Sequence, residues 1–245
     1  MPSLQSEAIV LRTLPLREAD LLVTLFTRSH GKVRGVAKSA LKSKKRFGGA
    51  LEPLTVVAAH WEVRSHELVR IDSCEVMLSP MTQAVDYLRA VALGHVAESL
   101  DQLLPDHEAN DAVYRLALAV LQNLHCGAIW MPLTYFDLWM TRLTGLLPEL
   151  HVCRNCGTAL NGAIAWFHPL SEGLMCQKHK RMASIEMSAD SRQLAAEMLK
   201  SPITLFVGET WQRTRCEELR RFLHQRMEGH LEKKLLSAAT LEKME

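Results

Sequence analysis

Four side chains in this 245-residue chain have the types and the spacing of a metal site. Cys153-Arg-Asn-Cys156 and Cys176-Gln-Lys-His179 form two half-sites, with nineteen residues between Cys156 and Cys176. Two ligands three apart can chelate one ion from a tight turn, and Gly157 permits the backbone angles that such a knuckle needs. Two knuckles complete a tetrahedron of Cys153, Cys156, Cys176 and His179 around one Zn2+ ion. Four protein ligands leave no position open, so the site is expected to be structural. His168 and His151 are rivals of His179 for the fourth position. Cys74, Cys126 and Cys216 stand singly inside apolar patterns and read as core thiols.

The second chemistry is electrostatic. Between Asp20 and Glu52 there is no acidic residue, and the stretch carries Arg28, Lys32, Arg34, Lys38, Lys42, Lys44, Lys45 and Arg46. The formal net charge is only +2, so the rest of the chain is acidic and the positive charge is local. Small residues, among them Gly31, Gly35, Ala37, Ser39, Ala40, Ser43, Gly48 and Gly49, alternate with the cations and let a backbone approach phosphates closely. Lysines supply adaptable point charges and Arg46 a fork. Phe47 offers a ring that can stack on a base or anchor the loop to the barrel. Such a segment is expected to bind nucleic acid through phosphates, with strong salt dependence and little sequence readout. A further basic group, Arg213, Arg215, Arg220, Arg221 and Arg226, is interleaved with Glu217, Glu218 and Glu228 at helix spacing and reads as a salt-bridged face. Arg154, Lys178, Lys180 and Arg181 add positive charge around the cysteine cluster.

Catalytic readings of these atoms fare poorly. A zinc deaminase needs His-x-Glu and Pro-Cys-x-x-Cys, but Val152 precedes Cys153. His107-Glu108 is not continued to His-Glu-x-x-His. Gly35-Val-Ala-Lys-Ser39 fails as a phosphate loop, because Ala37 and Lys32 stand where glycines are required. No Gly-x-Ser-x-Gly or Gly-x-Gly-x-x-Gly occurs. Asp101, Asp106, Glu108 and Asp111 form the acidic cluster a nuclease or metallohydrolase would require, and a helix-terminus role explains them equally well. The expectation is a protein without catalytic chemistry.

The elements that must position these groups fall into two blocks. Ala8–Leu11, Leu21–Thr27, Lys32–Ala37, Leu54–Trp61 and Leu68–Met77 read as five short strands separated by turn signals at Pro15, Ser29-His30-Gly31, Gly48-Gly49 and Ser65-His66. Five strands in about 80 residues suggest a small barrel, OB-type or SH3-like. From Pro80 the period becomes helical: Tyr87–Leu103, Ala109–Leu124, then Pro132–Leu143 with Pro132 at its first position, and later Ser188–Leu199 and Thr210–Glu228. Residues 149–182, rich in Gly, Cys and His, read as an inserted module. The expected organisation is a barrel over 1–80, a helical part over 81–148, the zinc-ribbon-like module over 149–182 and a closing helical part over 183–245, an α+β multidomain class. Residues 1–7 have no basic run followed by an apolar one, and Leu116–Phe136 is broken by Gln122, Asn123, His125, Gly127 and Pro132, so neither an export signal nor a membrane span is expected. A cytoplasmic, nucleoid-associated protein with reduced thiols follows.

The chain also resembles the RecO family of bacterial recombination mediators over nearly its whole length. The resemblance lies in Glu7-Ala-Ile-Val-Leu11, Arg17-Glu-Ala-Asp20, Leu25-Phe-Thr27, Gly31-Lys32, Ala37-Lys-Ser39 and Leu51-Glu-Pro-Leu54. It continues in Leu143-Thr-Gly-Leu-Leu-Pro148, Cys153-x-x-Cys156-Gly157, Phe167, Gly173, Cys176, Leu219-Arg-Arg-Phe-Leu223 and Lys234-Leu-Leu-Ser237. It implies an N-terminal OB-fold, a helical domain and a zinc module embedded in the helical part. It further implies binding of single- and double-stranded DNA, annealing of complementary strands, contact with the C-terminal tail of the single-stranded-DNA-binding protein, partnership with RecR, and loading of RecA onto coated strands. Zinc-binding members commonly carry a second Cys-x-x-Cys, where this chain has Cys176-x-x-His179. The competing class is a zinc-ribbon RNA-binding or transcription-associated module, which would prefer RNA and would not anneal DNA.

Overall fold

A computed structural model describes residues 3–63, 68–169 and 171–244; the turn expected at Ser65-His66 lies outside them. The chain divides into two compact units, Met1–Gln122 and Asn123–Glu245.

In the first unit, β1 (Ser3–Pro15), β2 (Leu21–Thr27), β3 (Gly31–Ala37), β4 (Val56–Val63) and β5 (Val69–Leu78) join in the order β1-β2-β3-β5-β4, and β4 returns to β1. A one-turn helix, α1 (Lys44–Phe47), lies between β3 and β4. This is the five-stranded OB-type arrangement. The β3–β5 seam is parallel and only three pairs long. Gly35 sits in it, and a Cβ there would lie 2.7 Å from Val69 Cγ2, so only glycine lets the two strands close. Inward-facing Ala8, Val10, Val23, Leu25, Val57, Ala59, Trp61 and Ile71 fill the barrel. Fully burying each of the larger ones contributes roughly 1.5–3 kcal/mol.

Strand β1 breaks the alternation, because Ile9 and Leu11 are buried as well as Ala8 and Val10. The reason is α2 (Tyr87–Leu103), which packs across β1 and covers its outer face. Asp86 caps α2 by accepting the Arg89 N–H at 2.7 Å. On β2 the outward Phe26 meets Tyr114 of α3 (Asp111–Asn123) at 5.8 Å.

The second unit is built on α4 (Trp130–Leu143), α5 (Ala189–Lys200) and α6 (Arg213–Leu231), with a short α7 (Leu236–Leu241) at the end. Helix α4 begins two residues before Pro132, which therefore occupies its third position rather than the expected first; proline is tolerated there because the first-turn N–H groups have no partner inside the helix. Ser188 caps α5 as expected. The α4–α6 seam buries a polar cluster within its apolar contacts: Asp137, fully buried, accepts from Arg220 Nε at 3.1 Å and pairs with His224 Nε2 at 2.9 Å. Between α4 and α5 lie β6 (Ala165–Phe167) and β7 (Ile185–Met187), an antiparallel pair. Phe167 packs edge-on against Phe222 of α6 at 5.2 Å and holds this small sheet to the helices. Among the described residues no helix is long and apolar enough to cross a membrane.

Candidate nucleic-acid interface and metal centre

The eight cations of the acid-free stretch separate into two sets. The first is absorbed by the helices of the same unit. Lys32 is only 5% exposed; its ammonium donates to the Asp101 carbonyl at 2.6 Å and lies 3.3 Å from Asp106 Oδ1. Arg34 reaches Asp106 at 3.6 Å. Arg28 donates to Asp111 at 2.6 Å and to Glu7 at 3.1 Å. Those two acceptors hold its guanidinium above its ordinary pKa, and Asp111, hydrogen-bonded to Arg28, is held below the usual carboxylate range. Asp111 also pairs with Arg115 at 2.9 Å. The acidic cluster weighed as a catalytic site is thus spent largely on Lys32, Arg34, Arg28 and Arg115. Backbone contacts tighten the same junction: His107 N–H donates to the Lys32 carbonyl at 3.0 Å, and Gly31, at φ +67°, lies so near Glu108 that a Cβ would fall 2.3 Å from its carbonyl oxygen. Lys32, expected as a surface contact, is therefore corrected to a buried ion pair, while Arg28 stays exposed with Glu7 and Asp111 as its partners.

The second set stays in water. Lys38, Lys42, Lys44 and Lys45 are exposed, and among the described residues none has a carboxylate within salt-bridge distance. They sit on a loop held at several points. Ser39 N–H donates to Asp20 Oδ1 at 2.7 Å, Leu41 N–H to the Ala19 carbonyl at 3.2 Å, and Arg46 Nη2 to the Lys38 carbonyl at 2.6 Å. Arg46 also covers the Phe47 ring, 5.0 Å from its centroid. Phe47 is 3% exposed and belongs to the barrel core. Of the two roles open to it, stacking on a base or anchoring the loop, its burial leaves the anchor: α1 turns the ring inward beneath Arg46. Exposed Arg17 lies in the β1–β2 turn to which this loop is tied, a cation outside the acid-free stretch because it precedes Asp20.

In the second unit the two expected half-sites meet. One sulfur or nitrogen atom from each of Cys153, Cys156, Cys176 and His179 lies within 4.8 Å of all the others. Cys156 Sγ and Cys176 Sγ are 3.9 Å apart, Cys153 Sγ and His179 Nδ1 3.7 Å, and Cys176 Sγ and His179 Nδ1 3.3 Å. Tetrahedral zinc with bonds of about 2.3 Å to sulfur and about 2.0 Å to nitrogen puts such atoms about 3.5–3.8 Å apart, so the donor set fits that ion. Neither His151 nor His168 belongs to the group. The knuckles are formed by backbone bonds: Gly157 N–H to the Cys153 carbonyl and Cys153 N–H to the Thr158 carbonyl, both 2.8 Å, and His179 N–H to the Cys176 carbonyl at 2.9 Å. Burial pushes the Cys153 thiol up, but the backbone N–H groups of Cys176, Cys156 and Asn155 outweigh it and bring its pKa down to about 7. The Thr158 hydroxyl lowers that of Cys156, while burial raises that of Cys176. The thiolate is the form that binds a metal, and Cys153 and Cys156 are shifted towards it.

The family model described as Recombination protein O N terminal matches residues 1–80, and that described as Recombination protein O C terminal matches residues 84–239. The chain belongs to the RecO family. It is 60% identical over 242 residues to the DNA repair protein RecO of Koribacter versatilis, covering 98% of this chain and 99% of that relative. It is 37% identical over 198 residues to the DNA repair protein RecO of Bifidobacterium adolescentis, covering 78% and 79% of the two chains. A third relative of the same name, from Syntrophotalea carbinolica, is 30% identical over 211 residues, covering 85% of this chain and 82% of its own. Membership in this family carries a role in DNA repair and recombination.

Proposed function

We propose that this chain is a DNA-binding recombination mediator that acts by holding strands and not by catalysing a reaction. It binds single- and double-stranded DNA, anneals complementary strands, and helps load RecA onto strands coated by the single-stranded-DNA-binding protein, whose C-terminal tail and RecR are its protein partners, in the cytoplasm at the nucleoid. The observation that carries the reading is the row of exposed lysines, Lys38, Lys42, Lys44 and Lys45, on a loop fixed to an OB-type barrel and free of carboxylate partners among the described residues. Arg34 and Arg46, part-committed to Asp106 and to the loop backbone, border that row. Lysines lying against phosphates release counterions and let two strands approach each other without a covalent step.

Cys153, Cys156, Cys176 and His179 hold one structural zinc ion in this reading. The support is physical: residues 149–182 bury only a handful of large side chains, chiefly Leu150, Leu160, Trp166, Phe167, Leu174 and Met175, and segments of about 40 residues or fewer usually need a metal or disulfide to stay ordered. The same reading divides the chain into a barrel over 1–80, helical parts over 81–148 and 183–245, and the zinc module over 149–182.

The test is strand annealing followed by fluorescence transfer. Two complementary labelled strands, each pre-coated with single-stranded-DNA-binding protein, are mixed with the full chain without nucleotide. Accelerated annealing that disappears in the Lys42/Lys44/Lys45→Ala variant supports the proposal. Measurable DNA binding with no acceleration would reduce it to a generic nucleic-acid module, and RNA would be the next ligand.

A further inference from the structure

At the end of the barrel where α1 sits, a groove of about 470 Å3 opens between the end of β1, the start of β2 and the loop that carries the lysines. Its walls are apolar: Pro15, Leu21, Leu41, Leu51 and Pro53. Lys44 stands on it, and Glu52 is the one carboxylate among its lining residues. Leu41, at 63% exposure, is the groove's exposed leucine; a single one is ordinary, but seated with Pro15, Pro53 and the edges of Leu21 and Leu51 it completes one apolar patch. The patch is held in place, because the bonds from Ser39 to Asp20 and from Leu41 to Ala19 fix the loop to the β1–β2 turn, and Phe47 is sunk in the core. No ordering of the loop is then required on binding.

The ligand that fits is set by charge and shape together. Lys38, Lys42, Lys44 and Lys45 supply a cationic margin, and the trough at its foot is lined by prolines and leucines. A flat ring with apolar faces joined to a row of anions satisfies both, and an unpaired nucleotide offers one. We propose that this groove receives a nucleobase of single-stranded DNA while the neighbouring phosphates lie on the lysines. The groove thereby makes the loop prefer single strands, since a duplex keeps its bases stacked inside. This rests on the reading of the loop as the DNA contact. The subsite adjoins the β1–β2 turn, which OB-type barrels use together with the face of strands two and three to take oligonucleotides, but its floor is formed by the segment that follows β3. Its platform is aliphatic and therefore tolerant of base identity.

The experiment measures the affinity of the full chain, by fluorescence anisotropy, for three probes of equal length: oligothymidylate, a strand of abasic residues, and a duplex. The wild type is expected to bind oligothymidylate about fivefold more tightly than the abasic strand, the low end for a base contact. Leu41→Ser, at an exposed position, should remove most of that difference while leaving the abasic and duplex affinities unchanged. Equal wild-type affinities for the thymidine and abasic strands would overturn the groove assignment and leave the lysine loop intact as a phosphate contact. Failure to bind any of the three probes would take down the DNA reading and the groove with it. If Leu41→Ser leaves all three affinities alone but abolishes binding of an acidic leucine-containing peptide, the groove is a peptide dock and the proposal falls.

Discussion

Removing the ammonium groups of Lys42, Lys44 and Lys45 should change the salt dependence of DNA binding by an amount the structure sets. Of the eight cations in the acid-free stretch, Lys32 is buried and paired, Arg28 and Arg34 face carboxylates, and Arg46 is engaged with the Lys38 carbonyl and the Ser43 hydroxyl. Four lysines remain for phosphates. With about 0.7 units of log–log slope per single-strand phosphate contact, the wild type should show a slope of about −2.8 from this loop. Raising salt from about 50 to 200 mM then weakens binding about 50-fold. The Lys42/Lys44/Lys45→Ala variant keeps one contact, a slope of about −0.7 and a loss of about threefold over the same range. The assay is fluorescence anisotropy with a labelled single strand at five or six salt concentrations. Arg28→Gln is the control, because its charge is already matched by Glu7 and Asp111, and its slope should stay within about 0.3 of the wild type. A triple variant with an unchanged slope, or an Arg28→Gln that flattens it as much, would refute the division of the cations into paired and free.

Gly31→Ala should destabilise the first unit by about 2–4 kcal/mol in urea unfolding, since φ is +67° and the Glu108 backbone occupies the space of the new methyl; a change below about 0.5 kcal/mol would mean that the junction yields easily. The purified protein should carry about one zinc per chain by elemental analysis, and Cys153→Ser should lose it and melt at a lower temperature. A strong chelator should lower the melting temperature of the wild type but not of that variant. Glu218 accepts from Ser188 N–H at 2.9 Å, Ser188 Oγ at 2.6 Å and Ser191 Oγ at 2.8 Å. Burial raises its pKa, but these donors outweigh burial and hold it below the ordinary 4.5. A carboxylate depressed on folding stabilises above its unfolded pKa and ceases to as pH falls through the folded one. Glu218→Gln should therefore be less stable than the wild type at pH 7, with the gap narrowing towards pH 3, as read from urea midpoints; a gap independent of pH would assign the effect to packing.

What could be read from the sequence tracks how local its cause is. Strand β2 was expected at Leu21–Thr27 and is found there, because the apolar run and its flanking turns sit within one short window. Strand β1 was expected only over Ala8–Leu11 yet runs from Ser3 to Pro15; its polar ends are strand because β4 pairs with one end and β2 with the other, and neither partner is visible from β1. The Cys3His cluster was legible because knuckle geometry is encoded by residues three apart. The fate of Lys32 was not, since its acceptors Asp101 and Asp106 come from the last turn of α2 and the segment after it, far along the chain. For the same reason charge counting overstated the number of free cations, and the groove beside Leu41, assembled from three separate segments, left no signature in any one of them.

Strand β1 is the common partner that closes the barrel: it pairs with β2 along one edge, and along the other Ser3 meets Glu62 and Ile9 meets Val56 of β4. Ser3–Glu7 of β1 therefore wait for the fourth strand before they are paired, and β5 must follow, as far as Ile71, before β3 gains its second neighbour. Chain entropy opposes such distant pairings, so they form slowly compared with the β1–β2 and β2–β3 hairpins. During synthesis the lysine-bearing loop thus follows the open edge of a three-stranded sheet, and Lys32 and Arg34 on that edge strand discourage pairing with another nascent chain.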